Sequence, residues 1–382
     1  MLTAAIVHNH PMHYANLLFR ELRRTGLDFE VLFTASSSAG RLESPPGGFP
    51  YRYACDAAYE AAPPLSVMRS VWASLSELGP RAVIIGGYCD AAAWSAWAWA
   101  ELHRRPKILW AESNHFDRPR FRWKERVKSL FVRRCAAANV YGESSREYLA
   151  GLGMPRHRIA TGRAVIDTDL FSHRQPRSGG RSSRLLLYVG RFAPEKNLEL
   201  LLHVFARLAR DRACPPIRLA LVGYGPLEDR LRSLANDLRL WNAVEFWGPA
   251  RQPELPALYG AADALVLPSL RETWGLVVLE AMACGLPVLV SSRCGCARDV
   301  VTAATGLTFD PTSADGTLAA LRDLMCRPEA ELDRMGQAAS AIARQYSPEN
   351  GAQLVIATLD ALVKSDARLL PAPECTGPAS LR

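Results

Sequence analysis

The chain has 382 residues, 49% of them apolar and 22% charged. That length exceeds one ordinary hydrophobic core and fits two domains, and the composition is globular rather than disordered or fibrous. The net charge of +8 is uneven: the seventeen residues from Arg118 to Arg134 hold eight Lys or Arg against one acid, Glu125, a local charge of +7.

The opening residues, MLTAAIVHNH, lack the basic region and the apolar length of a secretory signal, and no run reaches the length of a membrane span. A cytoplasmic protein is the expectation. The nine cysteines are scattered. Cys294 and Cys296 form a C-x-C with no second pair at metal-ligand spacing, so free thiols in a reducing compartment are expected. No nucleic-acid partner is expected.

In chain order, Ala4–Val7, Phe29–Thr34, Ala82–Ile85, Ile108–Ala111 and Asn139–Tyr141 read as strands, with amphipathic stretches such as Tyr14–Arg24 between them. This alternation predicts a doubly wound parallel sheet. The stretch from Ser44 to Pro64 is rich in Pro and Gly and reads as a long loop. Ala91–Ala100, broken by Ser95, reads as a buried or half-buried helix rich in tryptophan. The basic segment Arg118–Arg134 interleaves Phe121, Trp123, Val127, Leu130, Phe131 and Val132. It could lie on an anionic membrane surface, peripheral at the inner face, or be a solvated helix whose apolar residues face the core; their ordinary helical spacing favours the second.

Ser172–Arg184 is dense in Gly, Ser and Arg without periodicity, which is linker composition. Beyond it, Leu185–Val189 is a strand, followed by the turn GRFAPEKN and a helix over Leu198–Arg210. Ile217–Val222 is a strand, followed by GYGP and a helix over Leu227–Asp237. Val244–Trp247, Ala264–Leu267 and Val288–Ser291 continue the pattern, and Pro348–Lys364 is helical. The expected organisation is a Rossmann-like domain over 1–172, a linker over 173–184, a second Rossmann-like domain over 185–346, a helix over 347–366 able to cross back to the first domain, and a disordered tail over 367–382. Ligands of such sheets sit at the carboxyl ends of strands, so the loops after Val189, Val222, Trp247 and Leu267 are where chemistry is expected.

Two stretches there carry it. Gly190 allows a tight exit from a strand, and Arg191 and Lys196 then set two cations beside a helix N-terminus, which suits a diphosphate. An exposed turn with a Glu195–Lys196 pair is the plain alternative. In PSLRETWGLVVLEAMACGLPV (268–288), Thr273 can cap a helix starting near Trp274, leaving the N–H groups of Gly275, Leu276 and Val277 to meet an anion. Glu280 sits in an otherwise apolar run, so it must reach solvent or bind something polar, such as a ribose diol or a sugar hydroxyl pair.

With Glu272, seven residues, Glu280 and AMACGLPV, preceded by YVGRFAPEKN and LVGYGPLEDRL, the second half resembles the retaining glycosyltransferase family 4. The resemblance implies an α/β GT-B fold, two Rossmann-like doubly wound domains facing each other across a cleft. It implies a retaining transfer of a sugar from a nucleotide-diphosphate donor to the hydroxyl of a carbohydrate, lipid-linked or small-molecule acceptor, in glycan, glycolipid or exopolysaccharide synthesis. It further implies that Arg191 and Lys196 bind the diphosphate, that Glu272 holds sugar hydroxyls, and that Glu280 holds the ribose. Gly190, Gly223 and the amides at Gly275, Leu276 and Val277 would line the donor site, and the loop from Trp247 to Arg251 would cover the base. In the first domain, WAESNH resembles the segment that carries a His near the sugar, which makes His115 the candidate there.

Where many family members have a Gly-Gly loop after the first strand, this chain reads HNHPMHYANL, so His10, His13 and Asn16 become candidates for acceptor or phosphate contact. Where Gly-Gly-x-x-Glu is usual, it reads RCGCARDVV, with Gly295 alone. Asp167-Thr168-Asp169 is taken as structural, and neither a metal nor a nicotinamide cofactor is expected, since GYGP lacks the third glycine of a dinucleotide fingerprint. A sugar-nucleotide epimerase of the same fold, or a non-catalytic nucleotide-sugar-binding protein, remain alternatives.

Overall fold

The apolar runs become strands covered on both faces, which is why they read as continuous rather than alternating hydrophobic stretches. The structure, a computed structural model, describes residues 3–38, 45–172 and 183–365. In the first domain the order is β1 (Ala4–His8), α1 (His13–Arg24), β2 (Phe29–Phe33), β3 (Tyr51–Tyr53), α2 (Pro64–Leu78), β4 (Ala82–Gly86), α3 (Ala91–Leu102), β5 (Lys107–Ala111), α4 (Arg122–Arg133), β6 (Ala137–Val140), α5 (Glu143–Gly151), β7 (Ile159–Thr161) and α6 (Thr168–Phe171). In the second it is β8 (Arg184–Val189), α7 (Leu198–Leu208), β9 (Ile217–Val222), α8 (Glu228–Asp237), β10 (Val244–Gly248), α9 (Leu255–Ala261), β11 (Ala264–Leu267), α10 (Leu276–Ala283), β12 (Val288–Ser291), α11 (Ala297–Val300), β13 (Gly306–Phe309), α12 (Ala314–Met325) and α13 (Glu329–Ala343), followed by α14 (Pro348–Ser365).

The first sheet runs β3-β2-β1-β4-β5-β6-β7 and the second β10-β9-β8-β11-β12-β13, all pairs parallel. This is the GT-B architecture, two Rossmann-like domains forming a cleft. In each sheet the chain order reverses at one crevice, between β1 and β4 and between β8 and β11. Loops leaving neighbouring strands part there, which opens room for a ligand. The C-terminal helix α14 packs on the first domain: Ala352, Val355 and Leu359 join the core under β1 and β2, and Asn139 donates to Thr358 Oγ1 at 2.7 Å.

Three readings of the sequence need correction. The stretch after Ser44 is not all loop: β3 lies within it as an edge strand whose YRY residues are exposed or half-buried, so the apolar signal of a central strand is missing. The other edge strands, β7 and β13, are partly exposed in the same way, at Ala160 and Thr161 and at Leu307 and Thr308, which breaks their apolar run. The cysteines are not all free, because Cys214 and Cys326 form a disulfide with Cα atoms 5.2 Å apart, one just before β9 and the other at the end of α12. In the basic segment only Phe131 and Val132 are buried; Phe121, Trp123, Val127 and Leu130 face outward. Residues 173–182 of the expected linker and the expected tail 367–382 lie outside the described residues.

Candidate functional site

The second-domain wall of the cleft is built from the loops after β8 and β11. Val189 passes into Gly190, and Gly223, at the end of β9, lies so close that a Cβ on it would sit 1.9 Å from the Gly190 carbonyl oxygen. Gly223 therefore shapes the β8 turn from behind rather than lining the cleft. The turn runs through Pro194–Lys196 into α7 and aims the Lys196 ammonium at the Glu272 carboxylate, with which it pairs. Leu270 N donates to Glu195 O at 2.8 Å, which ties the two loops together. Helix α10 is not capped by Thr273. Its cap is Gly275 at φ +99°, a left-handed conformation that glycine adopts without a Cβ clash. The first turn of α10 faces the cleft with unpaired-end N–H character and a favourable dipole for an anion.

Glu280, one turn further, is 2% exposed. Its carboxylate accepts from Tyr259 Oη at 2.6 Å and from Tyr14 Oη, which reaches it from α1 across the cleft. Burial pushes its pKa up to about 8, while the two phenols oppose that rise by donating to the ionised form. The polar partner that Glu280 requires in this apolar helix is a pair of tyrosines.

The first-domain wall contains groups that the sequence reading passed over. His8, at the end of β1, is buried, and burial lowers its pKa to about 4, so its imidazole is neutral. Glu112 leaves the end of β5 and pairs with Arg163 at 3.2 Å, whose guanidinium lies over the rings of Trp110 (4.9 Å) and Tyr141 (4.5 Å). Glu112 stands in the same WAESNH stretch as the predicted His115; its place directly off a strand end was the available signal. His115 itself is exposed and packs edge-on against Tyr148, outside the cavity lining. Asn114 instead crosses the cleft, donating to Glu272 O (2.8 Å) and Thr273 O (3.0 Å).

The other candidates divide likewise. Gly190, Lys196, Glu272, Gly275, Leu276, Val277 and Glu280 line a cavity of about 360 Å³ against His8, Met12, Tyr14 and Glu112. Arg191 is exposed at the edge of the β8 turn, with its carbonyl accepting from Tyr188 Oη at 2.8 Å and its side chain outside the cavity lining. Trp247 lies on β10 with its indole N–H on Glu245 (2.9 Å) and does not line the cavity. His10 lines a second compartment of about 520 Å³ in the first domain, which shares His8, Met12, Glu112, Arg163 and Thr273 with the first. His13 packs edge-on against Tyr14, and the buried Asn16 amide donates to Pro45 O at 3.4 Å, so both lie behind the wall. The domains also meet beside the cleft: Glu143 N donates to Asp299 (3.0 Å), Ser144 Oγ to Gly295 O (2.9 Å), and Arg298 pairs with Glu147 (2.7 Å). Gly295 needs to be glycine, since a Cβ would fall 1.9 Å from Thr273 O. Asp167 of the D-x-D caps α6 by accepting from Leu170 N at 3.0 Å. Among the described residues no group of three or more His, Cys, Asp or Glu is placed to hold a metal, and no helix is long and apolar enough to cross a membrane.

A cleft between two facing switch points, with an ammonium, a helix N-terminus and carboxylates on one wall, suits an anionic ligand bearing hydroxyls. Residues 173–341 match the family model described as Glycosyl transferases group 1. The second domain is related to that family. Glycogen synthase of Mycobacterium tuberculosis is 38% identical over 160 residues, 42% of this chain and 37% of that protein. D-inositol 3-phosphate glycosyltransferase of Gordonia bronchialis is 31% identical over 248 residues, 61% of this chain and 52% of that protein. The chain thus spans about half or less of the length of these curated relatives. Among solved structures, that of HepE from Anabaena in complex with UDP aligns with a TM-score of 0.73 over 94% of this chain and 100% of that one at 17% identity, a likeness of fold.

Proposed function

We propose that the chain is a retaining glycosyltransferase that moves a sugar from a nucleotide-diphosphate donor to an acceptor hydroxyl in glycan or glycolipid synthesis. The observation that carries this reading is the cavity wall that joins Lys196, Glu272, the first turn of α10 and Glu280 opposite a first-domain compartment. In this reading the diphosphate lies between the Lys196 ammonium and the N–H groups at Leu276 and Val277. Glu272 holds sugar hydroxyls, Glu280 the ribose diol, and the acceptor enters from the side of His10. The bond from the anomeric carbon to the diphosphate oxygen breaks with its electron pair passing to the diphosphate. The acceptor oxygen bonds to the same face of that carbon, and its proton passes to the departing phosphate oxygen. Lys196 and the helix dipole stabilise the charge that develops on the leaving group, and the Asn114 and Asp299 contacts hold the domains closed so that water is excluded.

The test is a screen of nucleotide sugars that follows both free nucleoside diphosphate and glycosylated acceptor, with the anomeric configuration of the product read by NMR. Lys196→Ala and Glu272→Ala should each lower kcat by roughly a hundredfold or more, the scale of losing one charge-stabilising group. Epimerised donor without transfer, or wild-type turnover in Lys196→Ala, would refute the assignment.

A further inference from the structure

The outward face of α4 is the feature that the cleft does not absorb. Eleven large apolar side chains are exposed among the described residues, and five of them (Phe116, Phe121, Trp123, Val127 and Leu130) fall within one fifteen-residue stretch. At 3.6 residues per turn, Trp123, Val127 and Leu130 share an arc of about 60° on the helix. Phe131, almost a quarter turn away, anchors the helix by stacking on Trp97 with ring centroids 5.8 Å apart. The opposite flank of the apolar arc carries Arg122, Arg126 and Arg133. These three line a groove of about 480 Å³ together with Arg120 and Gly151, where Glu125 is the single acid. Arg122 and Arg126 have no acidic partner among the described residues, and Arg133 engages only the Leu152 carbonyl, at 3.3 Å. Lys124 lies over the rings of Phe121 (5.1 Å) and Trp123 (5.4 Å), which keeps a cation beside the aromatic pair.

We propose that this face of α4 docks on an anionic lipid bilayer, with Trp123, Val127 and Leu130 entering the interface and the arginine groove receiving lipid phosphates. Charge complementarity and geometry select this occupant. A protein partner of matching acidity would meet the arginines, but an aromatic and aliphatic stripe flanked by cations, with Trp at its exposed end, is the arrangement that partitions into a headgroup layer. The surface is also continuous with the cleft. The segment that leads into α4 supplies Asp117, Arg118 and Arg120 to the first-domain compartment, and Lys128 of α4 lines it too. An acceptor drawn from the bilayer would therefore enter beside the docked helix; that last step rests on the transferase reading, whereas docking does not.

The experiment is flotation of the full chain with vesicles of pure phosphatidylcholine and of phosphatidylcholine with 30% phosphatidylglycerol, at low and high salt. Binding is expected only with the anionic vesicles and should weaken with salt. Arg122→Glu combined with Arg126→Glu, and separately Trp123→Ala combined with Leu130→Ala, should each lower the fraction bound by about tenfold or more, at unchanged circular dichroism. Equal binding to neutral vesicles, or none to anionic ones at low salt, overturns the proposal. So does a dimer in light scattering that Trp123→Ala dissolves, which would make a second copy the occupant. Nucleotide binding measured on the same samples separates a failure of docking from a failure of the transferase assignment.

Discussion

Tyr14→Phe isolates the contact that joins the two domains at Glu280, the carboxylate proposed to hold the ribose. The change removes one hydroxyl and keeps the ring, which packs against both cores, so no cavity opens. In the unliganded protein it leaves one Glu280 oxygen without its donor, while Tyr259 still holds the other at 2.6 Å. A hydrogen bond to a carboxylate of this kind is worth about 1.5 kcal/mol, which lowers Tm by roughly 2–5 °C. If ribose hydroxyls take the same oxygen, the wild type gives up the Tyr14 bond on binding and the variant does not, so its nucleotide affinity rises about tenfold. The pH dependence has a definite sign. Glu280 has its pKa raised in the fold from 4.5 to about 8, so its contribution to stability is full below 4.5 and is lost as pH rises through 8. Tyr14→Phe removes a donor to the ionised form, so its Tm deficit should widen from pH 6 to pH 9. Calorimetric titration with the nucleoside diphosphate of the preferred donor, beside thermal melts at both pH values, reads all three effects. An affinity within twofold of wild type with an unchanged Tm would show that Tyr14 does not hold the carboxylate. A tenfold weaker affinity would make it a ligand of the nucleotide instead.

Two further expectations concern domain closure and the covalent staple. At Gly142 a Cβ would fall 2.4 Å from the Trp274 ring and 2.5 Å from the Asp299 carboxylate, and Trp274 is 1% exposed, with little room to yield. Gly142→Ala should therefore force the domains apart, with transfer lowered about tenfold or more, a larger radius of gyration in solution scattering and unchanged circular dichroism; full activity with unchanged scattering would refute this. The Cys214–Cys326 link closes a sequence separation of 112 residues. Reduction should lower the Tm of the unliganded protein by about 10 °C or more if chain entropy sets the scale, at roughly 4–5 kcal/mol for such a loop. Titration of unreduced, denatured protein should find seven of the nine thiols, and nine would exclude the bond.

How far the sequence discloses this molecule depends on the range of the interaction. Central strands such as Leu185–Val189 were legible because burial on both faces makes them apolar throughout, and most helices followed from local periodicity. Edge strand Tyr51–Tyr53 was not, since exposure on one side removes that signal. On the second-domain wall, Lys196, Glu272 and Glu280 were legible because the loops after two adjacent strands and the helix that follows the second carry them at recognisable spacings. On the first-domain wall the partners are tertiary facts: Asn114 meets Glu272 across 158 residues and Tyr14 meets Glu280 across 266. No local period encodes such a pair. In WAESNH the residue nearest the strand end, Glu112, faces the cleft, and His115 lies outside the cavity lining. Cys214 and Cys326 show the same limit, because scattered cysteines give no spacing from which a pair can be deduced.

These long-range pairs also set how the cleft must work. Lys196 is held by Glu272, Glu280 by Tyr14 and Tyr259, and Glu112 by Arg163. On the transferase reading proposed above, a nucleotide sugar would enter by exchanging partners, not by meeting free charges. A diphosphate that draws Lys196 away releases Glu272, the carboxylate assigned to the sugar, so occupancy of the phosphate position prepares the sugar position one loop away. A bare nucleoside monophosphate or a free sugar would leave one of these groups unpaired in a half-buried site, a penalty that a complete donor avoids. On that reading, selection for the whole donor would follow from the Lys196–Glu272 and Tyr14–Glu280 pairs.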